Sequence, residues 1–304
     1  MKCMVIGGAG FIGSNLVDRL VDDGHDVKIV DNLSTGKEEN INSNAKFFNK
    51  DITDINKMWP YQVDEMFGDV DIVFHLAAKA RVQPSIESPV EYNNVNVSGL
   101  LNVLDACVKY KVKRFVYSSS SSVYGNTEKL PSSEVDGVNP MSPYALQKLI
   151  GEEYCRLFSE LYGLETASLR YFNVYGERQP TSGAYCLVMG TFAQQRLEGK
   201  PMTIRGDGEQ RRDFTYVGDV VDANIKCMDY PLELNGDVFN IGNGDNRSVN
   251  EIAELIGGDR INVDPVIEPF ETLADNTIAK EYLNWKPTTK VEDWIPKWKD
   301  EIGL

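Results

Sequence analysis

Histidine is scarce in this chain, with only His25 and His75, too few to build a multi-histidine metal centre. The five cysteines (Cys3, Cys107, Cys155, Cys186 and Cys227) are odd in number and none forms a CxxC pair. That usage points to reduced thiols in a cytoplasmic protein, not to a disulfide frame or a zinc site. Positive charge is in deficit, with 31 Lys and Arg against 46 Asp and Glu and a net charge of −15. Nucleic acid and anionic membrane surfaces are poor partners for such a chain, and a phosphate-bearing ligand would need a local positive patch. No apolar run approaches the ~18 residues of a membrane span. The opening MKCMVIGGAGFIG is interrupted by glycines, unlike the apolar centre of a secretory signal. There is no internal repeat, and the only low-complexity stretch is a run of five serines, Ser118 to Ser122.

What the sequence does have is alternation. CMVIG precedes a helix-like FIGSNLVDRLVDDG, then comes VKIVD; IVFHLAA, VNVSGLLNVLDACVKY and RFVYSSS continue the pattern. Continuous apolar strands separated by helices predict an α/β fold: a doubly wound parallel sheet, Rossmann-like, covered on both faces. After residue 173 the texture shifts to more Pro, Gly and polar turns. We therefore expect a dinucleotide-binding domain over 1–172, with a return around 211–242 where VFNIG reads as a strand. A smaller, interleaved substrate-binding lobe is expected over 173–304.

Gly7, Gly10 and Gly13 form GxxGxxG directly after the first strand and at the start of a helix. Such a turn brings backbone close to a diphosphate and offers helix N-terminal donors; an ordinary strand–helix turn is the competing reading. Asp31 closes the second strand, where a carboxylate accepts bonds from ribose hydroxyls and repels a 2′-phosphate, favouring NAD over NADP. Asp51 and Ile52 are placed either beside the adenine or in a solvated acidic turn. His75, at the end of IVFHLAA, reads as structural.

Tyr144 and Lys148 stand four apart in SPYALQK. Ser142 suits the N-cap and Pro143 the first helical position, so a helix begins just before Tyr144, and the two side chains share a face. Bringing a phenol from ~10 to about 7 needs roughly 4 kcal/mol. One cation at ~4 Å in an effective dielectric near 20 supplies about that much. Tyr144 thus qualifies as a general base near neutral pH. By chance alone Tyr-x-x-x-Lys occurs on many helices, so the argument needs the serine run upstream and the glycine turn at the N-terminus.

Together GGAGFIG, DNLSTG, HLAA, SSSSSVYG, SPYALQK, RYFNVYGERQ, GDGEQRRDF and LADNTIAKEYLNWKP resemble the extended short-chain dehydrogenase/reductase family, specifically its NAD-dependent nucleotide-sugar 4-epimerases. The resemblance covers nearly the whole chain. It implies NAD as cofactor and Ser120, Tyr144 and Lys148 as the catalytic set. It also implies cofactor contacts from Phe11, Ile12, Asn32 and Ser34, from Leu76, Ala77 and Ala78, and from Asn96, Ser118 and Tyr171, with Asn96 also matching a family asparagine in a positioning or water-binding role near the catalytic helix. Ser118 and Ser119 otherwise read as structural. Related 4,6-dehydratases carry a carboxylate pair at the positions of Ser121 and Ser122, and related decarboxylases tend to place a glutamate at the second. A hydroxyl cannot replace a carboxylate as acid or base near neutral pH, so oxidation alone is equipped and epimerisation is favoured.

On the substrate side the resemblance implies Asn173 and Arg212 on the diphosphate of a UDP-sugar, Arg211 being a solvated neighbour. Ser85 is expected to touch the sugar, and Thr272 to lie where bulk gates the C2 substituent, a hint toward UDP-GlcNAc. Two departures stand out. No Arg or Lys lies between Arg260 and Lys280, where the family commonly has a diphosphate arginine; counting back ten from Asp275 gives Pro265. Ala80 stands where some UDP-galactose epimerases have a lysine. Competing readings are a dehydratase or decarboxylase, and a non-catalytic nucleotide-binding interaction module. The family usually forms a homodimer through the catalytic helix and the 91–110 helix.

Overall fold

The computed structural model describes residues 1–181, 186–265 and 268–304. The first apolar run forms β1 (Lys2–Ile6), whose last four residues are fully buried. It is followed by helix α1 (Phe11–Asp22) and by β2 (Asp26–Asp31), β3 (Lys46–Asn49), β4 (Ile72–His75), β5 (Arg114–Ser120) and β6 (Glu165–Tyr171). A seventh strand, Asn235–Ile241, returns to pair with β6, and across the sheet the order is Asn235–Ile241, β6, β5, β4, β1, β2, β3. Every pairing is parallel. That is why these strands read as unbroken apolar runs: helices cover both faces.

One face packs Leu16, Val17 and Leu20 of α1 against Val220 and Val221 of helix Val217–Asp229, with Phe239 of the returning strand. The other buries Met66, Phe67, Leu100, Leu104 and Cys155 beneath the helices Pro60–Phe67, Leu100–Tyr110 and Pro143–Tyr162. A separate core, with Tyr175, Phe192, Ile204, Ile252, Trp294 and Trp298, belongs to the second half of the chain. There short strands pair across distant segments, Met202–Arg205 with Arg260–Val263 and Arg211–Asp213 with Asn246–Ser248. Helix Thr277–Leu283 and Trp285, inside the expected substrate lobe, pack instead into the first core with α1.

The chain runs outward from β1 to β3 in one direction and from β4 to β6 in the other. The carboxyl ends of β1 and β4 therefore form a topological switch point, the place where such sheets leave a crevice.

Candidate active site

Outside that switch point opens a cleft of about 1960 Å³. Pockets for one small ligand reach roughly 1,000 Å³, so this one has room for two large ligands. Gly7 lies at φ 84°, and a Cβ there would sit 2.6 Å from the Ala77 nitrogen; one at Gly13 would overlap the Gly7 carbonyl. The missing side chains let the turn lie flat against the exit of β4, with Gly10 as N-cap of α1. The first N–H groups of α1, from Phe11 and Ile12 onward, lack intrahelical acceptors and border the cleft.

Asp31 ends β2 and faces the same space. Its two oxygens accept the Ala9 N–H at 3.0 Å and the Leu33 N–H at 2.8 Å. Each keeps lone pairs for a ribose hydroxyl. Asn32 donates to Asp51 at 2.7 Å, closing a rim that includes Ser34 and Ile52, while Leu76, Ala77, Ala78, Ser118 and Tyr171 line the wall beyond. A glycine cradle at a helix N-terminus and a carboxylate at the next strand end fit the diphosphate and ribose of a dinucleotide.

At the other end of the cleft, Ser142 accepts the Ala145 N–H at 3.2 Å and Pro143 opens helix Pro143–Tyr162. Tyr144 and Lys148 both face the cleft. The Lys148 ammonium donates to the Ser118 carbonyl at 2.5 Å and lies 5.9 Å from the centre of the Tyr144 ring. Burial lowers its pKa to about 8 against the opposing pull of Glu152. Burial pushes the Tyr144 phenol above its ordinary value, although the Ser120 hydroxyl and the charge of Arg81 pull it back. The adjacent-cation arithmetic expected for Tyr144 is therefore not met in the protein alone. The ammonium is engaged by a strand carbonyl, and desolvation outweighs the remaining pulls.

Ser120 Oγ accepts the Ser122 N–H at 3.2 Å as well as bonding the phenol. Ser119 instead donates to Glu152 at 2.5 Å, and Arg170 clamps that carboxylate at 2.7 and 2.9 Å. Ser119 thus serves the framework behind the site. Ser121 and Ser122 border the cleft, and the Ser122 hydroxyl is buried without a hydrogen-bond partner among the described residues. His75 packs on the rings of Phe115 and Tyr117, and burial holds its pKa down to about 3. It is a neutral framework residue.

The substrate-side candidates fall in one cluster. Asn173 donates to the Asp213 carbonyl at 3.0 Å and to the Thr272 hydroxyl at 3.3 Å, and that hydroxyl also accepts the Asp213 N–H. Beside them Arg212 pairs with Glu268 at 2.7 Å and donates to the carbonyls of Arg211 and Phe270. Arg211 is bound to Asn246 and Glu251, so it holds its own lobe together where a solvated side chain was expected. Pro265 borders the cleft without any charge to offer, and Ala80 stands near Tyr144's end of it.

Two expected contacts lie off the cleft wall. Asn96 is buried, and its amide bridges the backbone of Lys79 and the side chain of Gln147. Ser85 is buried too; its hydroxyl donates to the Val82 carbonyl and accepts the Tyr144 N–H at 3.2 Å. Both stand one layer behind the surface, where they fix the loop after β4. Sequence reading passed over Arg81, Arg205 and Glu268, all of which border the cleft. Their only signal was charge in an otherwise apolar or turn-rich context. Among the described residues no group of three His, Cys, Asp or Glu could hold a metal ion, and no helix is long and apolar enough to cross a membrane.

The model of the NAD dependent epimerase/dehydratase family matches residues 3–242. A Methanocaldococcus jannaschii protein provisionally named as a UDP-glucose 4-epimerase is 41% identical over 303 residues, covering 97% of this chain and 96% of its own length. A UDP-N-acetyl-alpha-D-glucosaminuronate decarboxylase from Bacillus cytotoxicus is 38% identical over 263 residues, 84% of this chain and 79% of the relative. Among solved structures, the UDP-glucose 4-epimerase of Thermotoga maritima with UDP-glucose superposes with a TM-score of 0.92 at 37% identity, covering 99% of this chain and 100% of that one.

Proposed function

The chain belongs to the NAD dependent epimerase/dehydratase family, and from that premise we propose that it is a 4-epimerase of a UDP-hexose or UDP-N-acetylhexosamine. The observation that carries this is the catalytic end of the cleft: Ser120, Tyr144 and Lys148 face one space, with hydroxyls alone at 121 and 122. Gly7, Gly10, Gly13 and Asp31 would hold NAD, which when bound would supply the acceptor for the hydride of C4 and the donor that restores it. Tyr144 takes the proton of the C4 hydroxyl, and Ser120 holds that oxygen through a hydrogen bond. Lys148 keeps a positive charge within the wall. The resulting 4-keto sugar turns over and presents its other face, after which Tyr144 returns the proton.

Arg212, with Asn173 and Thr272 beside it, provides the local cation for the diphosphate that a chain of net charge −15 requires; a guanidinium fork suits phosphate oxygens. Cys3, Cys107, Cys155 and Cys227 are buried free thiols, which supports a cytoplasmic location, and a homodimer completes the reading.

The test is to incubate the purified protein with NAD and UDP-glucose, UDP-GlcNAc, UDP-glucuronate or dTDP-glucose and follow the sugar protons by NMR. Axial–equatorial exchange at C4 is expected with a UDP-sugar. Tyr144→Phe should abolish turnover while NAD stays bound. A released pentose sugar nucleotide would favour the decarboxylase reading that the Bacillus relative keeps open, and a 4-keto-6-deoxy product a dehydratase. Retained epimerisation by Tyr144→Phe would remove Tyr144 from the role of base.

A further inference from the structure

Ser118, Ser119 and Ser120 close β5, and each meets the catalytic helix at a different place. The Ser120 hydroxyl bonds the Tyr144 phenol, and the Ser118 carbonyl takes the Lys148 ammonium at 2.5 Å. The Ser119 hydroxyl donates at 2.5 Å to Glu152, one turn beyond Lys148 on helix Pro143–Tyr162. Glu152 and its partner Arg170 are each only 4% exposed, and neither borders the cleft.

Arg170 stands directly beside Ser119 in the register of β5 against β6. Its guanidinium holds both Glu152 oxygens, at 2.9 and 2.7 Å, and gives a third bond to the Tyr124 hydroxyl at 2.8 Å. Tyr124 ends the short helical turn Ser121–Tyr124 that follows Ser120. Its hydroxyl donates in turn to Asn240 on the returning strand, at 2.7 Å. The ion pair therefore grips the chain on both sides of Ser120, at Ser119 before it and at Tyr124 after it. Taking two charges out of water is costly, and an apolar pair of similar volume often serves stability equally well or better. An apolar pair could not bond Ser119 and Tyr124 at once, so what the charges return is orientation.

We propose that Glu152 and Arg170 are positioning residues of the catalytic end, a buried ion pair that holds Ser120 from both flanks and registers β5 against the helix carrying Tyr144 and Lys148. This rests on the roles proposed above for Ser120 and Tyr144. Because neither member of the pair reaches the cleft, its loss should be felt in the chemical step and not in substrate binding.

Two variants test this, each as the NAD-loaded protein. Glu152→Met/Arg170→Met removes both charges at similar volume and should melt close to wild type. Ser119→Ala/Tyr124→Phe keeps the ion pair and cuts its ties to the flanks of Ser120. In both, KM for the sugar nucleotide should stay within about twofold of wild type while kcat falls by about tenfold or more, since small displacements of reacting groups are expensive. Crystal structures of wild type and of Ser119→Ala/Tyr124→Phe should show the Ser120 and Tyr144 hydroxyls farther apart in the variant, a readout that needs no turnover. Wild-type kcat in Ser119→Ala/Tyr124→Phe overturns the inference, even where the charge-free variant does not fold, and so does an unchanged hydroxyl spacing. A widened spacing in a protein that turns over no nucleotide sugar would leave the role of the pair standing while the proposed function fell.

Discussion

At the scale of single residues, the cleft is governed by where each charge is already engaged. Arg212 is held by the carbonyls of Arg211 and Phe270 and also by the carboxylate of Glu268. The two carbonyls fix its posture, so Glu268 adds only a negative charge where a diphosphate would bind. An ion pair with a partly exposed partner is worth ~0–1 kcal/mol. Glu268→Gln should therefore lower KM for the sugar nucleotide about two- to fivefold at unchanged kcat, measurable by initial rates at low salt. A rise in KM would mean that Glu268 holds Arg212 in place instead of competing for it. Glu268 also answers part of the departure seen in the sequence. No further cation appears from Arg260 to Lys280, and the segment contributes an acid to the site.

At the scale of elements, the parts of the site legible in the sequence are those built from neighbours along the chain. GxxGxxG lies wholly within one strand–helix turn, and Tyr144 and Lys148 lie on one helix behind an evident cap at Ser142. Spacing therefore speaks for position. The sugar contact expected of Ser85 was beyond the same reasoning, because its role comes from a contact across 59 residues, to Tyr144; Asn96 bonds Lys79 and, on the catalytic helix, Gln147, which agrees with the positioning role its motif suggested and not with a cofactor contact. What couples elements is close packing. A Cβ on Gly151, halfway along the catalytic helix, would overlap the Tyr117 hydroxyl on β5. The helix carries Tyr144 and the strand ends at Ser120, so this contact sets their separation. Gly151→Ala should cost about 1–3 kcal/mol of stability through overpacking. It should also lower kcat by about tenfold or more, since small misplacements of reacting groups are expensive. A melt and a kcat determination on one sample check both; a destabilised variant with wild-type kcat would show that the packing does not govern the Ser120–Tyr144 spacing.

For the whole molecule, the fold class was readable because a parallel sheet covered on both faces writes each strand as a continuous apolar run. The interleaving was harder to read, since helix Thr277–Leu283 joins the first core only after the chain has left the second lobe. Assembly brings in a further layer. Around the start of the catalytic helix, Ile86, Val90 and Leu146 are 52%, 72% and 48% exposed, on the helices Val82–Glu87, Pro89–Asn93 and Pro143–Tyr162. These helices pack on one another; Ile86 borders the cleft, and in the proposed homodimer a second copy would cover Val90 and Leu146 by two-fold symmetry. Such a homodimer would stiffen the elements that carry Arg81, Ser85 and Tyr144. The expected sedimentation mass is twice the 34.1 kDa of the chain. Leu146→Glu would place a carboxylate against its own symmetry mate's apolar surface, where an unpaired charge is strongly disfavoured. That variant should sediment as a monomer, and its melting temperature should become independent of protein concentration, as mass action requires once association is lost. A Leu146→Glu protein that remains a dimer would move the interface to another face, and a wild type that sediments at the single-chain mass would end the homodimer proposal.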